Sequence, residues 1–533
     1  MAEKEFINIA SYLPKMAKQM PDAPAVIVQK GFKYSTCSFK DLGEQSDAAA
    51  HGLESRGIKR GMRAVLMVKP SHDFFALTFA LFKIGAVPVM IDPGIGIKNL
   101  KKCLEEAEPE AFIGIPKAHL ARIIFGWGKS TIKILVLAGG HVGQGGKGPY
   151  QMVRTRGDET AAILFTSGNT GISKGAVYTH GIFDAQVKYL HSVFGISPGE
   201  KDLATFPLFA LFGPALGMTA IIPDMDAGRP AQADPKKIVH AIRTFNATNM
   251  FASPALISKV GRYGQERGIK LFSLKRVLSA GAPARPDDLE RFSKILTPGV
   301  EIFTPYGATE ALPVSNIGSR TILTETRKQT EQGKGNCVGR PVPGMEIKII
   351  KTTDDPISSW SDGLLLPAGE IGEIAVKGPV VTRCYYNREE ATALAKIPAS
   401  NNKEVYHRMG DVGYLDESGR VWFCGRKSHR VETGQGTLFT LPCEAVFNVH
   451  PSVFRTALVG VEKEPVLCVE LENGVSPGER EKIRAELIAQ GAAYPHTSKI
   501  KTVLFHPSFP VDIRHNAKIH REKLALWAER KLS

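Results

Sequence analysis

Apolar residues gather along the chain in short runs, "AVLMV", "AVPVMI", "AAILFT", "ATFPLF", "NMFASP", "RVLSAG" and "EIFTPYG", separated by helix-length stretches. Strands alternating with helices predict layered α/β architecture around parallel sheets. Beyond Gly335 the pattern changes to short alternating runs between Gly and Pro turns ("VGRPVPGMEIKII", "GEIGEIAVKG", "GYLDESGRVWFCGR"), which predicts antiparallel β structure to about residue 427. The last 107 residues, from 427 to 533, mix short strands and helices and predict a small α+β domain. The expected division is therefore a large N-terminal domain over 1–427, its β-rich subdomain at about 335–427, and a C-terminal domain over 428–533. Two longer apolar stretches, from Phe74 and from Leu208, are interrupted by Lys83, Gly85 and Pro88 and by Gly213, Pro214 and Gly217. Each predicts a buried helix running into a strand rather than a membrane span, so no transmembrane segment is expected.

At 533 residues the chain exceeds one ordinary domain, and 43% hydrophobic with 23% charged residues is the balance of a globular protein. The formal net charge of +15 is spread along the chain without a zinc-finger or RNA-binding signature, which argues against a nucleic-acid partner. That charge suits a polyanionic ligand or an anionic membrane, and peripheral membrane or multi-enzyme association stays open. Seven cysteines without a C-x-x-C pair suggest a reducing cytoplasm and no structural zinc, and "MAEKEFINIA" does not read as a secretory signal.

Candidate chemistry concentrates in "LFTSGNTGISKGAVYTH", Leu164 to His180, which lies between an apolar run and a helix-like continuation. Gly168, Gly171 and Gly175 let a backbone approach a ligand, Thr166, Ser167 and Thr170 bring hydroxyls, and Lys174 brings charge, an inventory that fits polyphosphate. The spacing is not that of a Walker loop, where Gly, Lys and Ser or Thr are consecutive. Farther on, "FTPYGATEAL" sets Tyr306 as an aromatic face for a base beside Thr309 and Glu310, a hydroxyl and a carboxylate suited to Mg²⁺. In "YHRMGDVGYLDESG", Asp411 can accept hydrogen bonds from ribose hydroxyls. Singly these are a turn aspartate and a helix-starting Thr-Glu pair; in this order they point to a nucleotide.

With these motifs in place the chain resembles the adenylate-forming superfamily of acyl-CoA synthetases, peptide-synthetase adenylation domains and luciferases. "FTSGNTGISKG" resembles its phosphate loop, with Asn169 and Ser173 as departures. "SAGAP", containing Gly281 and Ala282, is similar to the adenine turn; "YGATE", with Gly307, to the adenine and Mg²⁺ motif; "HRMGD" to the ribose motif. "GRK", with Arg426, followed by Ser428 resembles the interdomain hinge, and "NAK" the motif of the catalytic Lys518. "GRPVPG", "GEIGEI" and "CYYNREEAT" also fit intervening segments of the family. The resemblance implies ATP as co-substrate, Mg²⁺ on Glu310 and Thr166, and a mobile C-terminal domain that carries Lys518 to the phosphates and then turns away. Lys518, Glu310 and Thr309 are the catalytic residues it implies.

The acceptor segment departs from the coenzyme-A-using pattern. "HRVETGQGTLFTLPCE" carries about two extra residues and Leu441-Pro442-Cys443-Glu444 in place of the acidic-proline step, and Ala210 stands where relatives often have His. These departures, with "TPYGATEALPVS" and "VDIRHNAKIHREKLA", resemble the branch that closes β-lactones in bacterial long-chain olefin biosynthesis, and they put coenzyme A in doubt as the acceptor. That branch implies a long-chain β-hydroxy acid whose own hydroxyl attacks the activated carbonyl, helped by proximity. A long-chain acyl-CoA or acyl-carrier ligase and a non-catalytic nucleotide-binding protein are the alternatives. His180, His429 and His515 are candidate bases, and "FALFGPALGM" is a candidate wall for the alkyl chain.

Overall fold

The computed structural model describes residues 6–92, 95–139, 142, 146, 148–165, 173–400, 404–434, 436–511 and 518–533. Two largely parallel sheets form its first layers. One has six strands in the order Ile134–Leu137, Ala111–Gly114, Arg63–Met67, Val87–Met90, Thr160–Phe165, Gly175–Thr179. The other has seven: Glu301–Phe303, Arg276–Ser279, Asn249–Ala252, Lys201–Ala204, Thr219–Ile222, Pro24–Lys30, Lys33–Ser38. Strands such as Val87–Met90 and Asn249–Ala252 are buried throughout, which is why they read as unbroken apolar runs.

The apolar stretch from Phe74 is a core helix, His72–Ile84, opened by Ser71, whose Oγ accepts from Phe74 N at 3.3 Å, and closed by Gly85 in the left-handed region at φ 76°. The lysine inside this run, Lys83, is buried, and its Nζ donates to Ser46 Oγ at 2.6 Å and pairs with Asp47. The stretch from Leu208 differs from the single helix its pattern predicts. It forms two one-turn helices, Pro207–Ala210 and Phe212–Ala215, before the strand Thr219–Ile222. Pro214 has no N–H to continue a helix, and Gly213 lies so close to the sheet that a Cβ would sit 3.2 Å from Ala220 Cβ. "ATFPLF" is likewise only half strand, because Lys201–Ala204 ends before Pro207 starts the first of these turns.

The glycine-rich loop also departs from expectation. Its continuation is a strand, Gly175–Thr179, antiparallel to Thr160–Phe165, so the two strands that flank the loop form a hairpin. The helix His180–Phe194 begins only afterwards, with Thr179 Oγ1 accepting from Ile182 N at 3.3 Å. Gly175 pairs with Phe165, and a Cβ there would stand 2.8 Å from Ile163 Cγ2, so glycine is what permits the close pairing.

An eight-stranded antiparallel sheet follows, taking in Tyr306–Ala308 and Ala311–Asn316 from ahead of Gly335 as well as the strands beyond it. Between them and Asn336–Pro341 runs the helical segment 319–334, with π-type turns at Ile322–Thr326 and Thr330–Lys334. Past Arg426 come a two-stranded hairpin (Val431–Thr433, Gly436–Leu438), the helix Thr440–Asn448, a three-stranded sheet and the helices Arg480–Ala492 and Arg521–Leu532. They share a core of their own that includes Phe447, Leu458, Leu467 and Leu487. This part meets the antiparallel sheet closely at Gly425 (φ 126°), where a Cβ would collide with Thr440 Oγ1.

Candidate active site

Neighbouring strands of the antiparallel sheet build the first cluster. Asp411, on Val405–Leu415, lies opposite Arg426 on Val421–Arg426. Arg426 Nη1 is 2.9 Å from Asp411 Oδ1, and Tyr306 Oη donates to Oδ2 at 2.6 Å. Asp411 is buried, and burial raises its pKa while Arg426, the Tyr306 hydrogen bond and Lys518 pull it back down. Burial and the Asp411 charge push the Tyr306 phenol far above its ordinary value, so it stays a donor. Among the described residues Oδ1 is engaged only by this ion pair, without a well-aligned hydrogen bond, which leaves acceptor capacity at a buried oxygen beside a cation. Gly281 (φ 97°), Ala282, Tyr306 and Gly307 line the same cleft.

Glu310 is the second cluster's centre. Its Oε1 accepts from Tyr385 Oη at 2.6 Å, and its carbonyl accepts from Thr382 N at 2.8 Å. Lys174 Nζ lies 5.1 Å from the Tyr385 ring centroid and Lys396 Nζ lies 5.8 Å from it. The buried Lys396 donates to Thr382 Oγ1 at 3.1 Å; burial drives its pKa down to about 7 against the upward pull of Glu310. The backbone carbonyl of Thr309 accepts from the buried Tyr178 hydroxyl. His407, held below its ordinary pKa by burial and then by Lys396, donates from Nδ1 to Ala395 O, 3.1 Å away. Thr166, Ser167, Gly168, Asn169, Thr170 and Gly171 lie outside the described residues, as does His515.

The C-terminal part closes the cleft. Lys518 lines it, and its charge is felt at Asp411. Ser428 sits in a single turn, Lys427–His429, and both flanks of that turn are tied to the larger part. Lys427 Nζ donates to Thr353 O at 2.8 Å, and Arg430 Nη2 is 3.1 Å from Asp354. The altered acceptor segment becomes the hairpin and the start of helix Thr440–Asn448, where Glu444 is buried against Arg521 with Arg521 Nη2 to Oε2 at 2.9 Å.

Asp411, Tyr306, Glu310, Tyr385, Lys174 and Lys518 front one cavity of about 2840 Å³. Its lining also holds six phenylalanine rings in serial contact, Phe82, Phe183, Phe212, Phe209, Phe251 and Phe206. Phe209 stacks on Phe251 at 3.9 Å between centroids, and Phe183 lies 4.9 Å from Tyr178. Phe209, Leu211, Phe212 and Ala215 of the expected alkyl wall do face this space, whereas Ala210 is fully buried in the core beneath.

Residues 13–386 match the sequence profile of the AMP-binding enzyme family. The chain belongs to that family. This AMP-binding enzyme is 49% identical over 545 aligned residues to the olefin beta-lactone synthetase of Xanthomonas campestris pv. campestris, covering 98% of this chain and 97% of that protein. It is 48% identical to the olefin beta-lactone synthetase of Stenotrophomonas maltophilia, covering 98% of each. Among solved structures it superposes on the O-succinylbenzoate coenzyme A synthetase of Bacillus subtilis in complex with AMP at a TM-score of 0.77 and 22% identity, over 97% of this chain and 98% of that one. The last likeness is one of fold. Like other members, this enzyme uses ATP to activate an acid through an acyl adenylate.

Several partners in the site escape a reading of the sequence. Tyr385 lies in "CYYNREEAT" and Tyr178 in "LFTSGNTGISKGAVYTH", segments quoted above but without a role for these tyrosines, and Lys396 lies in no motif at all. Of the candidate bases, His180 is buried away from the cavity; its Nδ1 accepts from Ile9 N at 3.2 Å, and burial takes its pKa to about 4. That is a structural role. His429 does line the cavity, and burial, Arg521 and Arg426 lower its pKa to about 4, so it is neutral at neutral pH. No helix among the described residues is long and apolar enough to cross a membrane.

Proposed function

We propose that this enzyme joins ATP to a long-chain β-hydroxy acid and then closes a β-lactone, releasing pyrophosphate and AMP. A carboxylate oxygen of the acid bonds to the α-phosphorus as the bond to pyrophosphate breaks. The β-hydroxyl oxygen then bonds to the acyl carbon as the acyl–AMP bond breaks, and the hydroxyl proton leaves to a base. The observation that carries this reading is the near-full-length identity of 49% to a protein named olefin beta-lactone synthetase. The six-phenylalanine wall of the cavity supports an alkyl substrate.

In this reading Asp411 Oδ1 accepts from a ribose hydroxyl, with Tyr306 fixing the other carboxylate oxygen. Gly281, Ala282, Tyr306 and Gly307 flank the base. Thr166 to Gly171 and Lys174 hold the phosphates, and Lys518 offsets the charge that builds on them. Glu310 fits Mg²⁺: its second carboxylate oxygen is not taken by Tyr385, and one carboxylate plus substrate phosphates is a donor set this ion accepts. Bound there, Mg²⁺ supplies Lewis-acid stabilisation of phosphate charge, and Thr166 is assigned beside it. The proposed division is 1–427 and 428–533, with Ser428 as the pivot that withdraws Lys518 before ring closure. No thiol acceptor is needed, because the nucleophile is part of the activated acid.

The deciding experiment incubates the protein with ATP, Mg²⁺ and a long-chain β-hydroxy acid, with and without coenzyme A, and identifies products by mass. Lactone and AMP without the thiol are expected. A product that forms only with coenzyme A makes the protein an acyl-CoA ligase instead, and an absence of AMP with any acid removes catalysis altogether.

A further inference from the structure

The helix Pro116–Phe125, whose Ala118 and Ala121 pack against the core cluster that holds Phe165 and Trp127, has no buried residue although its sequence, PKAHLARIIF, is mostly apolar. Leu120, Ile123 and Ile124 are 58%, 67% and 64% exposed. The edge strand Ile134–Leu137 beside it exposes Leu135 and Leu137 by about half, 49% and 50%. These residues share one face. Leu135 and Leu137 stand opposite Phe112 and Gly114 in the neighbouring strand. The helix covers that side, since the Phe112 and His119 rings are 5.0 Å apart and a Cβ on Gly114 would lie 3.2 Å from Ala118 Cβ. His119 Nε2, 3.0 Å from Val136 O, ties helix to strand. An exposed apolar surface of this continuity marks an interaction site.

Its charge selects the partner. From Ala111 to Gly157 the chain has no Asp or Glu, and on the helix and the turn that joins it to the strand it carries the exposed Lys117, Lys129 and Lys133. A basic rim around protruding Ile and Leu is the chemistry of a surface that inserts into a lipid headgroup layer. The helix also borders the cavity: Lys117, Ala118 and Ala121, with Ile115 and Trp127, line it.

We propose that this face, the helix Pro116–Phe125 with the strand Ile134–Leu137, docks on an anionic lipid bilayer and sets the mouth of the cavity against the layer where long-chain acids dissolve. The docking stands independently of the lactone chemistry; its purpose as a substrate entrance rests on the long-chain reading above.

The test is co-sedimentation of the full chain, without substrate, with vesicles of equal parts phosphatidylcholine and phosphatidylglycerol and with vesicles of phosphatidylcholine alone. Binding to the anionic vesicles is expected, with loss at high salt. Ile123→Glu combined with Ile124→Glu should cut the bound fraction about tenfold or more, and Lys129→Glu with Lys133→Glu should lower it roughly fivefold per charge. Both variants should keep the wild-type melting temperature and the wild-type rate of pyrophosphate release from a short, soluble β-hydroxy acid. Failure of the wild-type chain to sediment with anionic vesicles, or variants that sediment as well as wild type, overturns the proposal. So does gel filtration in which Ile123→Glu with Ile124→Glu splits a dimer, which would make the face a contact between copies, or binding that appears only with an added protein. A protein that releases no pyrophosphate yet still binds vesicles would refute the proposed function and leave the docking face standing. Salt dependence of the wild-type chain decides the matter even for a variant that does not fold.

Discussion

At the end of the cleft proposed for the nucleotide, charged and polar groups hold one another: Tyr306 and Arg426 grip Asp411, and Tyr385 grips Glu310. At the end proposed for the acyl chain the walls are phenylalanines positioned by packing, as where Phe209 lies flat on Phe251. The first end is specified by donor and acceptor positions, the second by volume. A hydrogen-bonded carboxylate tolerates little displacement, because a buried charge that loses its partner carries the full desolvation cost. An aromatic wall yields gradually, since each lost contact is small. Substitutions should therefore act steeply at one end and gently at the other.

The largest effect is expected from Lys518→Ala or Glu310→Gln, either of which should slow pyrophosphate release by about 10²- to 10³-fold. Long-chain acid should still bind, as read by protection of the protein against thermal unfolding; equal loss of both would break the contrast between the ends. Next comes acidity in the core packing behind Phe82. His180, whose ring is 6.2 Å from that of Phe82 in the cavity wall, has a folded pKa of about 4, below the ordinary value of an unfolded histidine. The fold thus favours the neutral ring, so this contribution is complete above about pH 6.5 and is lost as pH falls toward 4, up to ~3 kcal/mol. Unfolding followed from pH 7 to 4 should show it, and His180→Asn should flatten the slope.

Tyr385→Phe removes one hydrogen bond to a carboxylate and should slow adenylation about tenfold or somewhat more, on the basis of roughly 1.5–3 kcal/mol for such a bond. Little change in KM for the acid is expected, and a selective rise in that KM would place Tyr385 at the acyl end instead. The gentlest is Phe209→Ala, which should raise KM for a long-chain acid by up to about tenfold while leaving KM for ATP unchanged. An equal rise for a short acid would show that Phe209 shapes the whole cleft.

The same contrast explains what could be read from the sequence. Tyr306, Glu310, Asp411 and Lys174 were legible because backbone turns and side-chain chemistry meet in short segments, and parallel strands were legible as continuous apolar runs. Tyr385 was not, since it reaches Glu310 across 75 residues and nothing local distinguishes it from a core tyrosine. The acyl wall draws phenylalanines from several separate elements, and periodicity does not tell a residue that lines a cavity from one that fills a core. The hairpin around the glycine-rich loop was missed because "GAVYTH" leads directly into a helix, and only its pairing with Thr160–Phe165 reveals a strand. His180 was a candidate base by motif; its burial and its bond from Ile9 N make it part of the scaffold.

At Gly425 the clearance between the two parts of the molecule is set by a hydrogen atom, since any heavier substituent would press on Thr440 Oγ1. The position behaves as a shim of zero thickness. On the proposed pivot at Ser428, Gly425→Ala would leave the surrounding chemical groups intact and prop helix Thr440–Asn448 off the strand, shifting the balance away from the seated pose that brings Lys518 within electrostatic reach of Asp411. Adenylation and lactone closure would then respond in opposite senses to a single methyl group, so the fit of a joint, rather than any reactive group, would apportion time between the two half-reactions.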